Sequence, residues 1–224
     1  MNAPARIALP EDGTSPAEPT ASSGDHLVAL SVLGGAAVYA TVRYNLFKGV
    51  PWSDWPGYIA DKALAVAGLL LLALAVWRRV RGSGGSRTLM AWAGVLVIGH
   101  ALLSLALFPG GHFPKLLSEG KITPIGGLSL LTGALAVGLL ELGARQAPNW
   151  TPSGTRTGLA ALLVLGAVHT AAPGLAGWFE PGTWPGGLPP LTVIAAVPAL
   201  AVAVLAMKSF QTAGRGKAFI RLRQ

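Results

Sequence analysis

Long apolar stretches alternate with short polar connections along this chain, and the pattern predicts its architecture. An α-helix needs about 20 apolar residues to cross the ~30 Å hydrocarbon core of a bilayer. Six runs of about this length are found, at residues 27–47, 58–77, 88–108, 123–143, 157–178 and 191–207. The alternation of a membrane β-barrel is missing from the sequence. The pattern therefore predicts an all-α integral membrane protein, a bundle of six transmembrane helices.

Composition supports this interpretation and narrows the chemistry. Charged residues make up 12% of the chain, against about 25% in soluble domains, and 52% of the residues are hydrophobic. The sequence contains no cysteine, which excludes disulfides, thiolate zinc sites and iron–sulfur clusters. The net charge of +8 lies mostly between the apolar runs, with no basic patch interleaved with aromatic residues. A role in nucleic-acid binding is therefore not expected.

The polar ends of the chain are expected to flank the membrane domain. Residues 1–26 are rich in Pro, Ala, Ser and Thr and contain no apolar stretch of signal-peptide length, so we expect a disordered tail there. Residues 27–207 form the predicted transmembrane domain, and residues 208–224 form a basic tail.

Cations in the connections predict the orientation of the helices. Lys and Arg are enriched after the second, fourth and sixth runs, at Arg78, Arg79, Arg81, Arg87, Arg145, Arg156, Lys208, Arg215, Lys217, Arg221 and Arg223. The other connections hold only Lys48, Lys115 and Lys121. Positive residues mark the cytoplasmic side. We therefore expect a multi-pass protein of the plasma membrane with both termini in the cytoplasm.

Two histidines occupy matching positions in two of the apolar runs. His100 and His169 each lie 12 residues after the start of their run, and both runs are predicted to pass outward. A lone imidazole inside a bilayer is costly unless it is bonded, and imidazole is a common ligand of haem iron and of other metals. The matched depth favours one b-type haem in the outer half of the membrane, with both histidines as metal ligands.

Two other interpretations of the histidine pair stay open. In a cofactor-free membrane protein, such as a small permease or an assembly partner, each imidazole would bond a neighbouring Ser, Thr or backbone carbonyl. Alternatively, the two imidazoles could bind copper or another metal ion directly.

Residues 27–207 resemble the ferric reductase-like transmembrane domain family. The resemblance rests on the six-run layout, on GHALLS around His100, on GAVHTAAPGLAGWF around His169 and on VRYNLFKGVPWSDWPGYIADKALAVAG. It implies haem-dependent electron transfer. Fuller family members carry a second histidine on each of the two helices, about one leaflet away. Here Arg87 and Arg156 stand 13 residues before the two histidines. Guanidinium cannot bind iron, so the resemblance implies one outer haem. The arginines are interpreted as membrane-edge anchors, with an anionic or quinone-like donor site as the alternative.

Further polar residues fit a cofactor that carries carboxylates. Arg43 ends the first run and Lys62 begins the second, both on the predicted outer side, where they could bind haem propionates. The alternative is an Arg43–Asp61 ion pair with Lys62 extending to the interface. His112, in the loop FPGGHFPK, is interpreted as a solvated histidine.

The sequence holds no nucleotide-binding motif that would supply electrons. Neither a GxGxxG after a strand nor a P-loop is found, and no soluble flavin or nicotinamide domain fits beside the apolar runs. As an oxidoreductase module, the chain would therefore take electrons from a donor protein or a membrane quinol. It would pass them to a periplasmic or extracellular acceptor.

Overall fold

A computed structural model describes residues 23–82, 87–146 and 152–221. The fold is all-α, as the apolar pattern predicts. Six long helices follow one another: α1 (Ser23–Thr41), α2 (Ala60–Val80), α3 (Arg87–Leu107), α4 (Pro124–Gln146), α5 (Pro152–Ala171) and α6 (Leu191–Arg221). Most of the predicted disordered tail, residues 1–22, lies outside the described residues, and α1 begins at Ser23.

Short π-helical and 3₁₀ turns follow the end of α1 and precede the start of α2. A π-helical turn, Val42–Phe47, continues α1, while a 3₁₀ turn, Trp52–Asp54, and a π-helical turn, Trp55–Ile59, lead into α2. Trp55 fastens the two segments together, because its indole N–H donates to the Thr41 hydroxyl at 2.8 Å. π-Helical turns are rare and occur often at functional sites.

Between α3 and α4 the chain forms a small hairpin. Strand β1 (Leu117–Ser118) pairs antiparallel with β2 (Lys121–Ile122). Two residues connect the strands, Glu119 with φ of 51° and Gly120 with φ of 74°. A two-residue turn with both φ angles positive matches the twist of paired strands. The hairpin brings Lys115 against the α5–α6 connection, where its ammonium donates to the Pro173 carbonyl at 3.0 Å.

Helix α2 lies at the centre of the bundle. It packs on α1, α3 and α6 and also touches α5. Alanines dominate the surrounding core, and five of them line one side of α6: Ala195, Ala196, Ala199, Ala203 and Ala206. Small residues let helix backbones approach closely, which is how helices associate in membranes, where lipid is as apolar as leucine.

The outward faces of the bundle are apolar. Helix α3 exposes Val95, Leu102 and Leu105, each by 64% or more of its surface, and α4 exposes Leu131 by 60%. Apolar surface of this extent marks contact with a membrane or a partner. Five stretches are long and apolar enough to cross a bilayer: Ser23–Phe47, Trp52–Val80, Arg87–Leu107, Pro124–Arg145 and Pro185–Ser209. The chain is thus an all-α protein with several helices of membrane-spanning character.

The fifth predicted span ends seven residues earlier than its prediction. Helix α5 ends at Ala171, whereas the apolar run was expected to remain helical to residue 178. Pro173 explains the early end, because proline lacks an N–H and disfavours helical backbone in the residue before it. The following residues form a 3₁₀ turn, Leu175–Phe179. Among the described residues, α5 therefore does not reach the apolar length of the other five stretches.

At the C-terminal side, α6 continues beyond its predicted end. Its helical backbone runs to Arg221, through most of the segment interpreted as a basic tail. Pro198 lies inside this helix, a position that membrane helices tolerate because neighbouring groups satisfy the freed carbonyl.

Candidate functional site

The structure brings His100 and His169 together, although 69 positions separate them in the chain. Their ring centroids lie 5.9 Å apart, with the ring planes at 65°. His100 lies on α3 and His169 on α5, and in the described residues these two helices make almost no backbone contact with each other. Instead α3 packs mainly on α2, while α5 packs on α4 and α6. The two imidazoles therefore meet across a space between helices.

His100 is held by a buried carboxylate. Its Nδ1 lies 2.8 Å from Oδ1 of Asp61 on α2. The Ser104 hydroxyl, one helical turn beyond His100, donates to the same oxygen at 2.7 Å and lies 3.2 Å from Nδ1. Asp61 is only 2% exposed, so this network lies inside the bundle. A carboxylate in such a place is stable only with partners of this kind.

His169 is held by the backbone of α4. Its Nδ1 donates to the Ser129 carbonyl at 2.7 Å, and the Ser129 hydroxyl donates to the His169 carbonyl at 3.0 Å. Gly133 lies one turn further along α4, directly against the ring. A Cβ atom at that position would stand 2.6 Å from Nδ1 of His169, so only glycine admits the imidazole here.

Both rings thus use the same nitrogen for hydrogen bonding. In the described part of the chain, every hydrogen bond of either imidazole involves Nδ1, which leaves Nε2 for a ligand. Histidines that bind metals usually donate their other ring N–H to a carboxylate or a backbone carbonyl, which fixes the ring and its tautomer. Asp61 and Ser129 supply these two kinds of acceptor.

The donor set suits a haem better than a bare metal ion. Within the described ranges, no group of three or more His, Asp and Glu side chains converges to hold a metal. A protein-bound zinc or copper ion needs about three or four protein ligands, whereas a haem iron needs only axial ones.

Lys62 lies next to Asp61 in a wall of aromatic rings. Its ammonium nitrogen is 4.0 Å from the centroid of the Tyr58 ring, 5.5 Å from that of Tyr44 and 5.9 Å from that of Phe113. Cation–π contacts of this kind stabilise a partly desolvated cation. They hold the charge of Lys62 within the bundle beside the histidine network.

Arg43 connects the π-helical turn after α1 to the segment that precedes α6. Its guanidinium donates to the Leu188 carbonyl, in the segment that leads into α6. Arg43 is 7% exposed, and its buried Nε has no hydrogen-bond partner among the described residues. In the described ion pairs Asp61 pairs with His100 rather than with Arg43. The Arg43–Asp61 pair that the sequence left open is therefore not formed.

His112 is more enclosed than a solvated loop histidine. Its ring lies 6.3 Å from that of Tyr58, and its buried Nδ1 has no partner among the described residues. The interpretation as a solvated residue is wrong on this point. The hairpin after α3 folds back over the bundle, and the sequence offered no local signal for that packing.

The two arginines that stand 13 residues before the histidines lie near the starts of their helices. Arg87 and Arg156 are exposed in the first turns of α3 and α5, as membrane-edge anchors would be.

Comparisons with known proteins leave the family open. The chain matches no family model and no curated protein. The resemblance to the ferric reductase-like domain therefore stays a prediction, and the functional argument depends on the site itself.

Proposed function

We propose that this protein is a six-span membrane protein that binds one haem b through His100 and His169 and transfers electrons near the outer face of the membrane. The observation that carries the proposal is the pair of adjacent imidazoles, each fixed through Nδ1 to a separate acceptor. Helix α5 would be the sixth span. Its polar first turns would lie at the cytoplasmic edge, where Arg156 is exposed.

The residues around the pair have defined roles in this proposal. His100 and His169 would bind the iron through Nε2, while Asp61 and Ser129 orient the two rings. Lys62 and Arg43 would meet the two propionates, because Lys62 is held beside Asp61 and Arg43 retains an unpartnered N–H. When bound, haem b supplies a one-electron couple. With His100 and His169 both holding the iron, the site would favour electron transfer over oxygen binding.

The four histidines of the chain provide the test and its controls. Protein purified in detergent should show b-type bands in a reduced-minus-oxidised spectrum, and pyridine haemochrome with elemental analysis should give one iron per chain. His100→Ala and His169→Ala should each abolish these bands. His26→Ala should leave them unchanged, because His26 contacts Trp92 at the far end of α1. His112→Ala should also retain them.

Three outcomes would contradict the proposal. A colourless wild-type protein would favour a cofactor-free membrane protein. That second candidate has support in the Asp61–His100–Ser104 network, which is complete without a ligand. Copper or zinc without haem would indicate a di-histidine metal site. Loss of the bands in His112→Ala with retention in His169→Ala would show that the wrong pair was chosen.

A further inference from the structure

The two histidines differ in the charge of the group that accepts their Nδ1 hydrogen bond. His100 faces the Asp61 carboxylate at 2.8 Å, while His169 faces the neutral backbone carbonyl of Ser129 at 2.7 Å. The lengths are nearly equal, so both rings are held to a similar degree. The electrostatic effect on each ring is not equal, because only Asp61 can carry a negative charge.

A buried carboxylate at this position acts on an imidazole in two ways. It draws the Nδ1 proton toward itself, which makes the ring a stronger electron donor through Nε2. Its negative charge also favours the more positive oxidation state of anything bound there. With Asp61 only 2% exposed, solvent screens this charge far less than it screens a surface charge.

Ser104 weakens the same interaction. Its hydroxyl donates to Oδ1 of Asp61, the oxygen that also faces His100, at 2.7 Å. Two donors share one carboxylate oxygen, so each draws less of its negative charge. Without the serine hydroxyl, Oδ1 of Asp61 should accept a hydrogen bond from His100 alone.

We infer that Asp61 is a positioning residue that lowers the reduction potential of the iron bound by His100 and His169, and that Ser104 limits this lowering. The inference rests on the proposed haem site. It adds that the potential depends on one axial ligand more than on the other. Substitutions of Asp61 and Ser104 should therefore shift the potential in opposite directions.

The experiment is an equilibrium redox titration of the haem-loaded, full-length protein with mediators and dithionite. Asp61→Asn keeps the size of the side chain and an acceptor for Nδ1 but removes the charge. We expect it to keep haem and to favour the reduced state about tenfold or more, which is a rise of ~59 mV for a one-electron couple. Ser104→Ala should shift the potential downward by a smaller amount.

Ser53→Ala is the matched control. It removes a serine hydroxyl that donates to another carboxylate, that of Asp54, at 3.4 Å in an exposed contact, so the potential should stay at the wild-type value. A wild-type potential in Asp61→Asn, or an upward shift in Ser104→Ala, would overturn the inference. If Asp61→Asn failed to retain haem, Ser104→Ala would decide alone, and an unchanged potential would then count against the inference. A wild-type protein without haem would instead remove the proposed function, and the inference with it.

Discussion

The two ends of the helical bundle differ in how deeply their polar residues are buried and in how those residues are bonded. Beside the loop end, which contains residues 42–59, 108–123 and 172–190, the buried carboxylate of Asp61 has both His100 and Ser104 as partners. At the arginine end, where α1 begins and α2 ends, the polar contacts range from half-buried to exposed. Arg78 contacts Asp25 at 2.6 Å, and His26 contacts Trp92 at 3.0 Å.

This difference indicates which end of the bundle contains the candidate binding site. An exposed contact, such as the one between His26 and Trp92, costs little desolvation energy. A buried, shared network costs desolvation energy and persists only if it is fully bonded. Both ends contain a histidine beside an aromatic or imidazole ring, yet only the loop end fixes its rings through a buried network. Under the proposed function, the arginine end would anchor the protein and the loop end would bind the ligand.

The sidedness of the two ends offers the largest test, since its outcome is all or none. The chain has no cysteine, so Lys121→Cys in the hairpin and Arg81→Cys after α2 would each introduce a unique thiol. In intact cells, a membrane-impermeant maleimide should label only the cysteine at position 121. Both should react after permeabilisation, and the wild-type protein should stay unlabelled. Labelling of both in intact cells would contradict the proposed separation, and labelling of position 81 alone would reverse the orientation.

The contact between Gly133 and His169 gives a second, smaller test. Gly133→Ala would place a methyl group 2.6 Å from Nδ1 of His169 and displace a ring that Ser129 holds. Overpacking costs about 1–3 kcal/mol, so haem affinity should fall roughly tenfold or more. Haem titration of the apo-protein would measure the fall.

Gly138→Ala on the same helix is the control. Apart from the adjoining backbone of α4, no atom of the described residues lies within 4 Å of the added methyl group, so the haem affinity of this variant should match that of the wild type. Equal affinity in both variants would mean that the position of the His169 ring does not matter for binding.

Lys62 and Lys48 form the third and smallest test, because they stand at similar distances from the Tyr44 ring, 5.5 and 5.6 Å. Lys62 lies in the aromatic wall beside Asp61, whereas Lys48 is exposed. A hydrogen bond to a charged group contributes about 1.5–3 kcal/mol, and the second propionate partner should retain part of it. Lys62→Met should therefore weaken haem binding several-fold, while Lys48→Met should not. Equal binding by the two variants would remove Lys62 from the site.

Part of the fold and part of the candidate site could be predicted from the sequence. The apolar runs predicted six helices, with bounds near the observed ones for α3 and α4. The matched depth of His100 and His169 predicted that the two rings would meet, and they do. Pro173 carried a signal for the early end of α5, although the run of apolar residues around it concealed that signal.

The partners of the histidines could not be predicted in the same way. Whether Asp61 reaches His100 or Arg43 depends on how α2 is rotated about its axis, and the apolar residues on every side of α2 leave that rotation unspecified. The acceptor for His169 is a backbone carbonyl, which any residue type at position 129 would offer. Contacts of these kinds depend on packing between helices rather than on residue pattern.

The wide spacing of the two histidine helices has a consequence for biogenesis. Helices inserted into a membrane associate after insertion, and a chain emerges from the ribosome at about 5–20 residues per second. Helix α3, with Asp61 and Ser104 already beside His100, can be in place before His169 has been synthesised. If the proposed haem site is formed, the residues on α2 and α3 would be in place before α5, and cofactor loading would be a late event in the synthesis of the chain.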